Sequence, residues 1–452
     1  MLPRNMIPEP SIPHLESLLQ TGRADCRAWD LVRSLCDDVG ARFPCTPGDV
    51  AAIAWAEEAL RRAGLERVRA EPAEATLWER GAESCTLLLP RRQAVALTAL
   101  GGSVGTQEGG IDAEIIEFPS LAALDAAPAE QVAGKVVFLH HVMPRLRDGT
   151  GYNAASVVRM RGPSHAARKG AVACLVRSVG TDSWRSAHTG ALFYEPGGPE
   201  IPAAALAIPD AELLHRALAA GARVRAVLSL GCSPLPVGMS ANVVGEIAGT
   251  DRADEIVLLG AHLDSWDLGT GALDDGAGCA IALDAARLIA ALPGRPRRTV
   301  RVALFANEEL GSGGGRAYAA AHAAEASRHV VAMEADQGDG KPWALRLPAD
   351  GREGPTARAL QQALAPLGIE LDPGVSRGGV DIAPLAQLGV PFVDLRQDAT
   401  RYFDFHHTAN DVLENVSRVE IAETTLAFAV AVWVIANADP RFPPRGGARP
   451  ST

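Results

Sequence analysis

The sequence predicts an α/β protein with a mixed, mostly parallel sheet flanked by helices and with a smaller inserted domain. From Ala241 onward, apolar strand candidates alternate with helix candidates, which is typical of a sheet covered on both faces. Between about Ile111 and Leu230 the strands and helices are shorter and have their own apolar periodicity. With 452 residues, 47% of them hydrophobic, the chain can bury one large core or two smaller ones.

The N-terminal part combines helices with strands. Amphipathic helices are predicted over residues 15–19, 26–39 and 47–63. The third has Thr46 as its N-cap before Pro47 and ends at Gly64. Alternating apolar and polar residues predict strands over 67–78, 85–89 and 94–100.

Residues 111–235 form the predicted inserted domain, and residues 1–110 and 236–440 form the main domain. The insert has strand candidates at 135–139, 171–176, 203–208 and 223–228 and helix candidates at 163–169 and 210–220. Residues 231–238 are predicted to be the return linker. The tail from Asp439, and in particular residues 441–452, is rich in Pro, Gly and Arg and is predicted to be disordered.

The second half of the main domain contains the alternating strand and helix candidates. Strands are predicted near Asn242, Glu255, Thr299, Arg328 and Pro391. Helices are predicted after Asp275, Gly313, Glu353, Asp381 and Ser417.

Composition argues against several classes of function. The net charge of −11 and the absence of a basic stripe argue against nucleic acid as a partner. No apolar run approaches the ~20 residues of a membrane span. The first residues lack a signal-type apolar stretch, which predicts a cytoplasmic protein, or a secreted or periplasmic one if the N-terminus is already processed. The seven cysteines are scattered and form no CxxC pair, so we expect reduced thiols.

A possible metal site begins at His262 and Asp264, which follow the apolar run at 255–260. Residues i and i+2 of a strand point the same way, so Asp264 can orient the imidazole of His262 toward a metal. A turn containing glycine then leads to Asp274, which can return beside His262. An isolated His-x-Asp is more often structural, so a metal site needs further ligands.

Further acidic and imidazole groups follow later strand candidates. Glu308 and Glu309 come after the strand candidate at 299–306, and Asp336 ends another. Neighbouring side chains on an extended segment diverge, so one glutamate can bind metal while the other takes a proton from a metal-activated water. A lone Glu-Glu is more often a solvated loop. The last candidate ligand is His407, beside His406.

Together these groups predict a metal centre. In an open α/β sheet, sites lie beyond the carboxyl ends of the strands, and His262, Glu309 and Asp336 each follow a different strand candidate. Five nitrogen and oxygen ligands that share one carboxylate suit two Zn²⁺ ions about 3.5–4 Å apart.

The order of these motifs resembles the co-catalytic di-zinc exopeptidases, a family that includes bacterial leucyl aminopeptidases. Within it, the sequence is most similar to the plasma glutamate carboxypeptidase subfamily. The resemblance covers nearly the whole chain. The residues that carry it are HLD at 262–264, DD at 274–275, EE at 308–309, the ExD at 334–336, HHT at 406–408, WERG at 78–81, GGSVGT at 101–106, LVRSVG at 175–180 and HTG at 188–190.

The resemblance implies the di-zinc exopeptidase fold and a role for each site residue. His262 and Asp336 would hold one zinc, and Glu309 and His407 the other. Asp274 would bridge the two ions. The general base would be Glu308, and Asp264 would be the partner of His262.

The family also implies features outside the ligand set. A cis peptide bond is expected between Asp274 and Asp275. His407 is preferred to His406 because the family's ligand precedes a hydroxyl residue, here Thr408. The insert would resemble a protease-associated domain, and the protein would be a homodimer. Val380 stands where the family's GGSD-like segment has serine, so a contact through that hydroxyl is absent.

The function implied is hydrolysis of dipeptides or other short peptides with free termini through a metal-activated water. Two alternatives stay open, namely an aminopeptidase that acts on longer peptides and a non-catalytic receptor or scaffold with the same fold. Retention of all five ligand positions and of Glu308 argues against the scaffold.

Overall fold

The structure is a computed structural model that describes residues 12–89 and 91–445. Its helices are α1 Leu15–Ala24, α2 Ala28–Ser34, α3 Pro47–Arg62, α4 Leu121–Ala126, α5 Ala129–Val132, α6 Gly151–Arg168, α7 Ile208–Ala219, α8 Ala277–Ala290, α9 Gly313–Ala321, α10 Pro355–Leu364, α11 Tyr402–Phe405 and α12 Arg418–Asn437. Its strands are β1 Glu66–Glu79, β2 Glu83–Leu88, β3 Arg92–Val95, β4 Leu97–Ala99, β5 Ile111–Phe118, β6 Val136–Leu139, β7 Ala173–Arg177, β8 Ala203–Leu206, β9 Arg225–Leu230, β10 Ser233–Ile247, β11 Arg252–His262, β12 Arg298–Phe305, β13 His329–Glu334, β14 Pro342–Leu347, β15 Glu370–Val375 and β16 Asp394–Gln397.

A five-stranded sheet in the order β1-β10-β12-β11-β13 forms the centre of the main domain. β12, β11 and β13 run parallel, whereas β10 is antiparallel to both β1 and β12. A small sheet in the order β15-β14-β16 follows in the chain. The predicted α/β fold with a mixed sheet is therefore confirmed.

Helices cover both faces of the central sheet. On one face α8 and α12 pack with Val257, Leu259 and Val302. On the other face α9 brings Tyr318 against Phe305. The alternation of side chains along β11 and β12 places successive residues in these two cores, so both faces of the sheet are apolar.

The helix α12 is long and apolar enough, by length and composition, to cross a membrane, although we predicted no such run. Most of it is buried, and it packs against α1, α8 and α10. A helix that is apolar on all sides must be enclosed by protein or lipid, and the surrounding helices provide that enclosure here.

A second sheet has eight strands in the order β3-β2-β9-β5-β6-β7-β8-β4. It differs from the insert that we predicted, because β2, β3 and β4 precede residue 111 and yet belong to it. Alternation identifies a strand but does not say which sheet the strand joins. The predicted linker at 231–238 is also mostly strand, since its residues form the start of β10 and pair with β1. The division into domains and the likeness to a protease-associated domain stay predictions.

Three local predictions can be compared with the structure. Thr46 is the N-cap of α3, with its hydroxyl accepting from the Asp49 amide at 3.4 Å. All seven cysteines are free. The helix predicted at 163–169 is the last part of α6, which begins at Gly151 and contains Pro163. A proline is usually read as a helix start, which is why the earlier turns were missed.

Near the C-terminus, residues 439–445 pack against the rest of the protein, whereas residues 446–452 lie outside the part of the chain that the structure describes. Residues 439–445, which composition predicts to be disordered, contact the main domain. Asp439 pairs with Arg298 at 2.8 Å, and Phe442 is 3% exposed. The prediction of disorder for residues 446–452, and the expectation that residues 1–11 lack a signal-type stretch, concern positions outside the described residues.

Candidate metal centre

Three adjacent parallel strands bring candidate ligands to one edge of the central sheet. His262 is the last residue of β11, Glu309 follows β12 and Asp336 follows β13. Because parallel strands end at the same edge, these side chains converge. The structure thus places them together, as the sequence predicts.

A short π-helical turn at Ala272–Gly276 presents Asp274 to this edge. The bond between Asp274 and Asp275 is cis, as the resemblance implies. Asp411 accepts the amide hydrogens of Leu273 at 2.6 Å and Asp274 at 3.1 Å. Asp275 instead accepts the amide hydrogen of His262 at 3.0 Å. The turn is therefore fixed to the strand end on one side and to Asp411 on the other.

Arg42 anchors the loop that joins β11 to this turn. Its side chain is fully buried, and the guanidinium donates to the carbonyl groups of Leu263 at 2.7 Å, Thr270 at 2.6 Å and Gly271 at 2.8 Å. These carbonyls lie between His262 and Asp274. Arg42 thus fixes the backbone that sets the two ligands relative to each other.

Asp274 lies between two groups of candidate ligands. Its Oδ1 is 3.1 Å from His262 Nε2, which is 3.6 Å from an oxygen of Asp336. Its Oδ2 is 3.2 Å from His407 Nε2, which is 2.9 Å from an oxygen of Glu309. The five predicted ligands therefore meet around one shared carboxylate.

The donor set fits zinc. Imidazole nitrogens and carboxylate oxygens are the ligands that zinc takes in catalytic sites. Oδ2 of Asp274 and Oε1 of Glu309 are buried and have no hydrogen-bond partner among the described residues. Buried oxygens of this kind are normally satisfied, so their lone pairs are suited to a cation.

His406 also approaches the shared carboxylate. Its ring stacks on His407 with centroids 3.6 Å apart, and its Nε2 is 3.5 Å from Oδ2 of Asp274. Distance alone therefore leaves His406 as a competing ligand. His407, however, also contacts Glu309, whereas His406 contacts Tyr152 and Phe403 by ring edges.

Asp264 was expected to orient His262 with its carboxylate, but its main-chain carbonyl lies closer to the imidazole. The nearest acceptor to His262 Nδ1 is the main-chain carbonyl of Asp264, at 3.0 Å, while its carboxylate is 3.7 Å away. That carboxylate accepts the amide hydrogens of Glu308 at 2.9 Å and Glu309 at 3.2 Å. Asp264 therefore positions the imidazole through its backbone and the glutamate pair through its side chain.

Glu308 is placed as a free carboxylate beside the ligands. Glu308 lines the cavity at the site, and its carboxylate accepts no hydrogen bond from the described residues. Burial, together with the neighbouring charges of Glu309 and Asp336, raises the pKa of Glu308 well above its usual value. A carboxylate with a raised pKa can take up a proton more readily near neutral pH.

The charged groups of the site shift one another's pKa values. Burial alone would raise the pKa of Asp274, but His406, His262 and His407 hold it well below its usual value. Burial would lower the pKa of His262, but Asp264, Asp274 and Asp336 raise it well above its usual value. The shared carboxylate is thus favoured in its charged form, which is the form that binds metal.

Residues from the segment that carries the second sheet support the loop at His406 and His407. Thr189 donates its amide hydrogen to the carbonyl of His407 at 3.0 Å, and its own carbonyl lies 3.2 Å from His407 Nδ1. The ring of His188 lies 2.7 Å from the His406 carbonyl and 2.5 Å from Asp182. These contacts hold the loop that carries His407, whose φ is +62°.

The site opens into a cavity of about 1010 Å³. Its walls combine the metal-ligand candidates with Tyr152 and Arg159 of α6 and with residues of β14 and β16. Sequence reasoning missed Arg42, Arg159 and Asp411. Only Asp411 had a visible signal, since it follows His407 by four positions in the same loop.

The chain matches a peptidase family and is similar to known carboxypeptidases. Residues 242–432 match the description Peptidase family M28. Mouse (Mus musculus) carboxypeptidase Q is 35% identical to the chain over 423 residues, which are 93% of this chain and 88% of the relative. The human (Homo sapiens) carboxypeptidase Q is 34% identical, with the same coverage.

Solved structures show the same fold. The crystal structure of a peptidase M28 precursor from Shewanella amazonensis has a TM-score of 0.93 and 41% identity, and the match covers 96% of this chain and 98% of that one. A zinc aminopeptidase from Bacillus subtilis has a TM-score of 0.64 at 20% identity, over 91% of this chain and 95% of that one. The second likeness concerns the fold alone.

Proposed function

The chain belongs to peptidase family M28 and is a zinc-dependent metallopeptidase, and on this premise we propose that it hydrolyses dipeptides or short peptides with free termini at two zinc ions. The observation that carries the proposal is the meeting of four ligand-type side chains around Asp274. A single shared carboxylate between two His-carboxylate pairs suits a two-metal site.

The residues divide into ligands and a base. His262 and Asp336 would hold one zinc, Glu309 and His407 the other, and Asp274 both. Zinc bound there would polarise the scissile carbonyl and lower the pKa of a nearby water toward ~7.

Glu308 is the proposed general base. It takes a proton from the water whose oxygen adds to the carbonyl carbon. When the C–N bond breaks, Glu308 returns that proton to the departing amine. The hydrogen bonds from the amides of Glu308 and Glu309 to Asp264 keep the base and its neighbouring ligand in fixed relative positions.

The size of the cavity supports a short substrate. A cavity of about 1010 Å³ lies at the upper end of the range of ordinary small-molecule pockets. Tyr152 and Arg159 of α6 form part of its wall. An aminopeptidase that acts on longer peptides is the second candidate, and the similarity in fold to a zinc aminopeptidase favours it. A scaffold would not need Glu308 or unpartnered oxygens on Asp274 and Glu309.

Hydrolysis of a peptide panel tests the proposal. Zinc-reconstituted protein would be assayed on free dipeptides and on N-acetylated, C-amidated and longer versions of the same sequences. We expect cleavage to be confined to peptides with both termini free and to be fastest for dipeptides. Release of successive residues from the amino end of long or amidated peptides would mean an aminopeptidase, and no cleavage at full zinc occupancy would refute the peptidase mechanism.

We also propose a homodimer, formed through the start of β10. Leu235, Val237 and Met239 alternate along this strand and are 41%, 68% and 61% exposed. Here β10 pairs with β1 on one edge, while its pairing with β12 begins only at Val243. An unpaired edge with an apolar face favours strand pairing with a second copy. Sedimentation should show a dimer for the natural protein and a monomer for Val237→Lys.

A further inference from the structure

Two histidines and two glutamates meet at one edge of the second sheet, outside the cavity of the metal centre. Glu117 lies near the end of β5, and His140 directly follows β6. These strands are parallel, and their pairing continues past β6, since the His140 amide donates to the carbonyl of Phe118 at 3.0 Å. Glu117 pairs with Phe138, and His140 is two residues beyond Phe138. The side chains of Glu117 and His140 are therefore on the same face of the sheet.

The helix α7 packs on this face and supplies the other two groups. Ala211 and Leu214 of α7 share a core with Phe138. Each of these two apolar residues is followed by a polar one, Glu212 and His215 respectively. Because Glu212 and His215 are three residues apart, they lie on one side of the helix. Packing of α7 against the sheet thus brings both groups to the strand ends.

Three possible ligands converge in this cluster. Oε1 of Glu117 is 2.6 Å from Nδ1 of His215 and 3.6 Å from Nδ1 of His140. The two imidazole rings are parallel, with centroids 4.2 Å apart. One nitrogen of each histidine and one oxygen of Glu117 all lie within 4.8 Å of one another. Two ligands of a tetrahedral zinc ion are about 3.3 Å apart, since each lies about 2.0–2.1 Å from the metal. The present spacings lie on either side of that value, so a small rotation of His215 would complete the geometry.

Glu212 prepares His140 to bind a metal. Its Oε1 is 3.2 Å from Nε2 of His140, and it also accepts a hydrogen bond from Nε of Arg177 at 2.8 Å. A carboxylate can only accept, so Glu212 favours the tautomer of His140 with its hydrogen on Nε2. Nδ1 then keeps its lone pair on the side of Glu117. A carboxylate on the far nitrogen of a histidine ligand is typical of metal sites because it fixes the tautomer in this way.

The ligand types suit a transition metal better than Ca²⁺ or Mg²⁺. Imidazole nitrogens favour ions such as Zn²⁺, whereas Ca²⁺ and Mg²⁺ prefer oxygen ligands. Two imidazoles and one carboxylate also leave a fourth position for water. The side chains of His140 and Glu117 are 11% and 18% exposed, but that of His215 is 41% exposed. An ion would therefore enter from the side of His215.

We propose that Glu117, His140 and His215 bind a divalent transition metal ion, such as Zn²⁺, at a site separate from the metal centre. The ion joins α7 to the ends of β5 and β6. Glu212 is a positioning residue, because it acts through His140. The site requires no peptidase activity, so the inference goes beyond the proposed function and is tested independently of it.

The amount of bound zinc tests the proposal. The full-length protein is dialysed to equilibrium against Zn²⁺ near neutral pH, and bound zinc is measured per chain. Both His215→Gln and Glu117→Gln should bind one ion fewer than the natural protein, whatever the number held at the metal centre. His165→Gln is the matched control, since His165 contacts Asp125 at 2.8 Å but belongs to no group of three ligands among the described residues. It should bind as much zinc as the natural protein. Equal binding by the natural protein and His215→Gln would overturn the proposal.

A second variant background separates this ion from those of the metal centre. Asp274→Asn weakens the shared carboxylate ligand of the metal centre, and His215→Gln in that background should remove one further ion. If it removed none, the lost ion would belong to the metal centre and the proposal would be wrong. An excess of Mg²⁺ of about 100-fold should leave the ion in place, and displacement by Mg²⁺ would overturn the assignment to a transition metal.

Amide hydrogen exchange then locates the ion. An ion that binds only when α7 is docked on the sheet suppresses the opening of that helix. With free Zn²⁺ at about ten times the dissociation constant, exchange in α7 should slow about 10-fold in the natural protein. Exchange in α7 of His215→Gln should not respond to zinc. Protection of α7 by zinc that persists in His215→Gln would place the ion elsewhere and overturn the proposal.

Discussion

Replacement of Arg42 by methionine tests whether this buried arginine holds the metal-binding loop together. Arg42 is fully buried, and three of its hydrogen bonds reach the carbonyls of Leu263, Thr270 and Gly271. Methionine has a similar length but no donor. A hydrogen bond from a charged group contributes about 1.5–3 kcal/mol, and such contributions are not fully additive. The three losses should therefore lower the free energy of unfolding by about 3–6 kcal/mol.

The assay is urea unfolding of the natural protein and Arg42→Met at matched zinc, followed by competition for zinc with a chelator. We expect a lower midpoint and weaker zinc binding, because the loop between His262 and Asp274 loses its anchor. Arg33→Met is the control, since Arg33 is an exposed residue of α2 with only a 3.7 Å contact to Asp30. It should change stability by less than about 0.5 kcal/mol. A loss below about 1 kcal/mol in Arg42→Met, with unchanged zinc affinity, would refute the reasoning.

Three other variants test separate parts of the protein. Glu308→Gln should bind zinc and unfold like the natural protein but lose about 10²- to 10⁴-fold in kcat, and full activity would exclude Glu308 as the base. Burial and the charge of Arg301 lower the pKa of His329 to about 4. The neutral form is favoured in the folded state, so stability is lost as pH falls from about 6.5 to 4, by up to about 3 kcal/mol. His329→Gln should flatten that decline in unfolding measured between pH 7 and 4, and an equally steep decline would contradict this account. Thr46→Ala should cost about 1 kcal/mol in urea unfolding without a change in slope, because α3 loses its N-cap.

The convergence of the candidate ligands was predictable because these residues combine a ligand-type side chain with a position at the end of a strand. His262, Glu309 and Asp336 end or follow apolar strands, and parallel strands bring their carboxyl ends to one edge of a sheet. Asp274 and His407 lie on turns, so they could be identified as candidate ligands only after the three residues at the strand ends had been recognised. The cis bond and the distribution of roles came from the resemblance alone.

The supporting residues could not be predicted for a physical reason. Arg42 acts on backbone carbonyls, which every residue has, so no pattern of side chains indicates it. Asp411 acts on backbone amides, and its only signal was its position four residues after His407. The side chain of Asp264 behaves in the same way toward the amides of Glu308 and Glu309. The membership of β2 to β4 in the second sheet likewise depends on pairing partners far along the chain, chiefly β9 and β8.

The position of α12 has a consequence for how the chain is completed during synthesis. The strands of the second sheet are confined to residues 83–230, so that sheet can pair as soon as these residues leave the ribosome. The main domain differs, because α12 is its last helix and α1 and α8 both pack on it. The indole of Trp433 also donates to the carbonyl of Pro13 at 2.6 Å, which joins α12 to the residues just before α1. Until α12 has been synthesised, the apolar surfaces of α1 and α8 therefore lack the partner that buries them.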